Sequence, residues 1–158
     1  MNIPKAIELA LAETIRNYSE VGTGVVVRPW QSISTEQIIA KEGQREYPMI
    51  DIRCGSPATD DQVTRYCEAS LICGTYAQDD KDHAQISELY EAAQESLDLL
   101  HDQFMAGSGA AYAAFVTYME AEIEGIHIGG VSFSAGNPPY EDTNANLMAI
   151  SITVHYSK

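Results

Sequence analysis

Residues able to do chemistry occur in a few short runs. Asp79-Asp80-Lys81-Asp82-His83 gathers three carboxylates and an imidazole, a donor set that suits a metal ion. The same run also reads as a polar turn whose acids sit at the positive end of a following helix. Asp142-Thr143-Asn144-Ala145-Asn146 begins like a calcium loop, but Leu147 stands where the turn needs Gly, and Thr153 where a bidentate Glu belongs. Gly107-Ser108-Gly109 lacks the Lys-Ser/Thr of a phosphate loop and the third Gly of a dinucleotide motif. Gly130-Val131-Ser132-Phe133-Ser134 lacks the second Gly of a nucleophile elbow. His101, His127 and His155 are isolated and read as structural. Cys67 and Cys73 fall on one face of a strand-like segment and, with Cys54, read as reduced, buried thiols. The expectation is therefore a chain with no catalytic, cofactor-binding or metal residues, and not an enzyme.

The elements that carry these residues follow from periodicity. Ile3, Ile7, Leu11, Ile15 and Tyr18 predict a helix over 3–19, with Pro4 in its first turn and Gly22-Thr23-Gly24 as its stop. Val25-Val26-Val27 reads as a short strand ended by Pro29. Residues 31–46 are polar and read as a short helix capped by Ser34 or Thr35, or as a long loop. Tyr47 to Cys54 reads as a strand with Pro48 at its start or on an edge, then a turn at Gly55-Ser56-Pro57 and Thr59-Asp60-Asp61. Val63 to Tyr76 alternates as a long strand antiparallel to it, with Val63, Arg65, Cys67, Ala69, Leu71 and Cys73 on one side.

Ile86, Tyr90, Ala93, Leu97, Leu100 and Phe104 predict a helix over 82–105, capped by Asp82 and stopped by Gly107. Residues 112–124 read equally as helix or strand. Ile126 to Phe133 predicts a strand with a bulge at Gly129-Gly130, and 137–142 a loop. Asn146 to Tyr156 predicts a final strand, with Met148, Ile150, Ile152, Val154 and Tyr156 on its apolar face. The whole reads as one α+β domain over 1–158. Its sheet is mostly antiparallel, of four to five strands, with an N-terminal helix and a long central helix packed on it.

Charge is distributed unevenly along this frame. The chain of 158 residues has a formal net charge of −14. Residues 1–81 hold eight basic and twelve acidic side chains, whereas 82–158 hold eleven acids and a single base, Lys158. Such a chain lacks the clustered Lys and Arg that grip phosphates or an anionic membrane surface. No apolar run approaches the roughly 20 residues of a membrane-spanning helix, and the start, Met1-Asn2-Ile3-Pro4-Lys5, does not read as a secretion signal. On the long helix Glu88, Glu91, Glu95, Asp98 and Asp102 recur at steps of three and four, opposite the apolar stripe. This acidic ridge reads as a solvated face, or as a surface that repels nucleic acid or meets a basic partner.

The order of elements resembles the tail terminator or tail completion proteins of long-tailed bacteriophages. The resemblance lies in the N-terminal helix, the strand Tyr47-Pro48-Met49-Ile50-Asp51-Ile52, and the long strand ending in Thr75-Tyr76. A long helix and the final strand Ile152-Thr153-Val154-His155-Tyr156 complete it. It implies a non-enzymatic α+β subunit of a ring, typically a hexamer, that caps the tail tube and joins it to the head connector. The implied partners are copies of itself, tube proteins and connector proteins, with no cofactor and no direct nucleic-acid binding. The implied location is the virion tail or neck, and the host cytoplasm during assembly. The ridge Glu88, Glu91, Glu95, Asp98 and Asp102 would then line the lumen or an assembly surface. Another head–tail joining protein of the same fold class is an alternative. So is a small intracellular α+β enzyme or ligand-binding domain with its site in the 74–83 or 134–146 loops.

Overall fold

The first helix, α1 (Ile3–Tyr18), starts where Asn2 accepts the Lys5 N–H on its side chain at 2.7 Å, with Pro4 in the first turn. A computed structural model describes residues 1–21, 24–32, 47–59, 64–134, 139–142 and 144–158. The chain continues through β1 (Val26–Pro29), a 3₁₀ turn (Trp30–Ser32), β2 (Met49–Cys54), β3 (Ala58–Thr59) and β4 (Arg65–Tyr76). Then come a 3₁₀ turn (Ala77–Asp79), α2 (Ala84–Ala106), α3 (Ala110–Glu122), β5 (His127–Ser134), β6 (Tyr140–Asp142) and β7 (Ala145–Ser157). The expected α+β architecture is present. Residues 33–46, with the Ser34 or Thr35 cap, lie outside the described residues, as do 22–23, 60–63 and 137–138.

Five strands form the main path of the sheet in the order β1-β2-β4-β7-β5, while short β3 and β6 pair with β4 and β7. Only β1 and β2 run parallel; the other described pairs are antiparallel. The register aligns Ile52 with Leu71 and Leu71 with Ile150, so the centre of the sheet is a row of buried aliphatic side chains. Each fully buried side chain of this kind contributes about 1.5–3 kcal/mol. The bulge expected at Gly129-Gly130 lies between Ile128 and Gly130.

All three described helices pack into the cluster on the face that carries Ile50, Cys67, Leu71, Ile150 and Val154. α1 lies on β1 and β2, and α2 on β4, β5 and β7, with α3 closing the helix layer against α1 and α2. Ala6, Ala10 and Ala12 are all buried on α1, where small side chains let the helix sit close to both neighbours. Residues 112–124, ambiguous in sequence, fall mostly within α3, anchored by buried Phe115 and Met119. Part of the expected 137–142 loop is instead β6, which pairs Tyr140 with Leu147.

The opposite sheet face is divided. Near one end Met49, Ala145 and Leu147 form a second, smaller apolar cluster. There Arg28 and Asp51 are paired across β1 and β2 and are both buried, with Arg28 Nη2 donating to Asp51 Oδ2 at 2.7 Å. The other end is polar. A groove of about 650 Å³ is bordered by Arg53, Glu68, Ser70, Ser134, Ser151 and Thr153.

Candidate functional site

The acidic ridge is positioned by the way α2 is fixed at both ends. At the start, Asp80 is buried and its carboxylate accepts the Gln85 N–H at 2.8 Å and the Ile86 N–H at 3.0 Å. It also accepts the Thr75 hydroxyl at 2.6 Å and the Asn146 side-chain amide at 3.2 Å. Burial alone raises the Asp80 pKa. The bonds from Thr75, Gln85, Asn146 and Ile86 outweigh it and hold the carboxyl below its usual range. At the far end Gly107 takes the left-handed conformation, φ 70°, and closes the last turn.

Asp82 was the expected cap. Among the described residues its side chain accepts only the Ala84 N–H, at 3.2 Å, because His83 turns left-handed (φ 61°) and the next N–H groups, of Gln85 and Ile86, go to Asp80. The Asp79–His83 run is thus a helix entrance. Among the described residues no group of three or more His, Cys, Asp or Glu side chains is placed to hold a metal ion. Asn146, part of the broken calcium pattern, is buried and also bonds the Asp80 carbonyl at 2.6 Å. Thr143 lies outside the described residues. Gly107-Ser108-Gly109 forms the corner between α2 and α3, where Gln103 Oε1 accepts the Tyr112 N–H at 2.9 Å.

With α2 held this way, Ile86, Leu89, Ala93, Leu97 and Leu100 face the core. Glu88, Glu91, Glu95, Asp98 and Asp102 are all exposed on the other side. None of the five takes part in an ion pair among the described residues. Leu99 and Met105 are exposed near the C-terminal end of the ridge, Met105 to 78%. Glu88 also borders a hollow of about 240 Å³ with Glu20, Val21, Val25 and Leu89. Glu20 joins the acidic surface from α1's end, a neighbour that helix periodicity on α2 does not reveal.

The histidines have separate settings. His101 is half-buried, its Nδ1 2.8 Å from the Val131 carbonyl and its ring edge-on to Phe133. His127 is exposed at the start of β5. His155 lies beside Tyr66, ring centroids 6.2 Å apart. His101 shares α2 with the ridge but turns its ring to β5, while His127 and His155 lie on strands of the sheet.

A second polar centre has no signature in sequence. Glu8, on α1 and 1% exposed, accepts the Gln31 N–H at 2.7 Å, the Gln31 side-chain amide at 2.9 Å and the Cys54 N–H at 3.0 Å. Its three donors tie the first helix to the 3₁₀ turn and to the end of β2. What this arrangement does is positional: it uses a carboxylate where the sheet offers unpaired N–H groups. No protein-family model matches the chain, and no curated protein matches it.

Proposed function

We propose that this chain is a non-enzymatic ring subunit that caps a bacteriophage tail tube and joins it to the head connector. The observation that carries the reading is the adjacency of the strand segments on which the family resemblance rests. Met49–Ile52 of the first segment, the strand ending in Thr75-Tyr76 and the segment Ile152–Tyr156 belong to β2, β4 and β7, which are neighbours in one sheet. The N-terminal helix and the long helix of the same pattern cover one face of it.

Two further features support an assembly role. β1 and β5 are the outer strands of the main path, each bonded on one side only among the described residues. Open edges call for cover or a partner, and head-to-tail contacts between copies close rings. The exposed ridge supplies the second feature. DNA passing through a ring must not adhere to it, and a carboxylate lining repels phosphate. The reading rests on homo-oligomers: native mass spectrometry of the chain with purified tail tubes tests it, closed rings on tube ends being the expected product. A chain that stays monomeric and never binds tubes overturns it.

A further inference from the structure

Among the described residues the helices all pack on one face of the sheet, and on the other Arg53, Glu68, Ser70 and Ser151 are exposed. Strand register carries Arg53 of β2 across to Ser70, Ser151 and Ser134 on β4, β7 and β5. The next row carries Glu68 across to Thr153 and Ser132. Most of these hydroxyl side chains border the groove of about 650 Å³ and, being short, keep its floor low. Toward the other end Ile72 is half-buried, Tyr76 and Tyr140 are 36% and 44% exposed, and Tyr47 stacks on Tyr76 with ring centroids 6.2 Å apart. Exposed tyrosines beside an apolar cluster are typical anchors of protein contacts. The charged side chains that β1, β2, β4, β5 and β7 turn to this face are Arg28, Asp51, Arg53 and Glu68, so its formal charges cancel, on a chain of net charge −14. Arg28 and Asp51 are paired with each other. Neither Arg53, whose guanidinium lies 3.7 Å over the Trp30 ring, nor Glu68 takes part in an ion pair among the described residues.

We propose that a second copy of this chain covers the open sheet face, the two sheets packing about a twofold axis with Arg53 of each copy against Glu68 of the other. Two acidic chains repel across most approaches; here the repulsion is absent because the face has no net charge. A twofold contact is self-complementary, so what one copy offers the other receives and returns. An axis lying between the sheets and crossing midway between Arg53 and Glu68 supplies an opposite charge to both residues in both copies at once. The low hydroxyl floor lets the second sheet approach to the spacing of about 10 Å at which packed sheets interdigitate. The size of the face also fits. A strand residue takes about 3.4 Å along a sheet by about 4.8 Å across it, so the seven strands present about 800 Å². A stable contact buries about 800 Å² on each partner. The contact leaves the β1 and β5 edges free and does not rest on the tail reading.

Sedimentation of the purified full chain over a concentration series, with no tail components present, tests the contact. The native chain should pass from monomer to dimer and stop there. R53E sets like charges against each other across the axis, and E68R does the same with the opposite sign. Each alone should weaken the dimer by at least about tenfold. An equal mixture of R53E and E68R should recover it as a heterodimer, because each supplies the charge the other lacks. Recovery requires both variants to be folded, so it separates a lost contact from a lost fold. S151W raises the floor without altering charge and should abolish the dimer while the circular dichroism spectrum stays native. A native chain that stays monomeric at every concentration overturns the proposal. So does a dimer that R53E, E68R and S151W leave intact, or a mixture of folded R53E and E68R that fails to recover it. Growth beyond two copies that responds to the same substitutions overturns the twofold arrangement. The native series and S151W decide the matter even where R53E or E68R fails to fold.

Discussion

Arg28 and Asp51 stand opposite each other on parallel strands and meet through two hydrogen bonds, Nε to Oδ1 and Nη2 to Oδ2, the second at 2.7 Å. Both are buried, with side-chain exposures of 5% and 2%. The pair joins the two strands that, among the described residues, make the one parallel contact of the sheet. Removing one partner strands a buried charge. Asp51→Ala should therefore cost about 3–5 kcal/mol, read from the urea midpoint. Replacing both residues with apolar side chains of similar volume should recover most of that loss.

Glu8 gives a second, independent test of how α1 is attached. Glu8→Ala leaves the Gln31 and Cys54 N–H groups without their acceptor. Unsatisfied buried donors of this kind cost about 1–3 kcal/mol. Hydrogen exchange should accelerate first at Cys54 and along α1, before the β4–β7 centre. Uniform acceleration across the sheet would show that Glu8 is not a local tether.

Asp80 makes stability depend on acid. Its folded pKa lies below its ordinary value, so its contribution is complete above the ordinary carboxylate range and is lost as pH falls through the folded value. The thermal midpoint of the native chain should drop between about pH 5 and pH 2. Asp80→Asn should be less stable at neutral pH by about 1 kcal/mol, as for other lost helix caps, with a shallower acid dependence. A variant whose acid profile overlays that of the native chain would refute this role.

The ridge separates two readings by stability and assembly together. Changing Glu91, Glu95 and Asp98 to Gln, Gln and Asn relieves like-charge repulsion. Stability should be unchanged or rise by about 0.2–0.5 kcal/mol for each relieved pair. The assembly reading predicts that joining of tails to heads falls in the same variant. Intact joining would leave the ridge as a solvated face.

Much of this frame was legible in the sequence, for reasons tied to particular residues. Alternation from Arg65 to Cys73 and from Met148 to Tyr156 marks β4 and β7 because one face of each is buried against helices. The 3.6-residue stripe from Ile86 to Phe104 marks α2 in the same way, and Gly107 its end. α3 was ambiguous because apolar residues occur around most of its circumference, from Phe115 and Met119 through Val116 and Ala113 to Ala114. β3 and β6, two and three residues long, are too short to show a period. The cap moved from Asp82 to Asp80 because it depends on a backbone turn at His83 that composition does not encode. The Glu8 bonds join segments far apart in sequence, and they appear only once α1 is packed beside the 3₁₀ turn and the end of β2.

The most direct test of the central claim is tail length. Electron microscopy should compare tails assembled with this chain and tails assembled without it, all other components being present. The account predicts that tubes lacking it keep growing past their normal length and fail to join heads, and that adding the purified chain restores fixed length. Tails of normal, uniform length in its absence would contradict it.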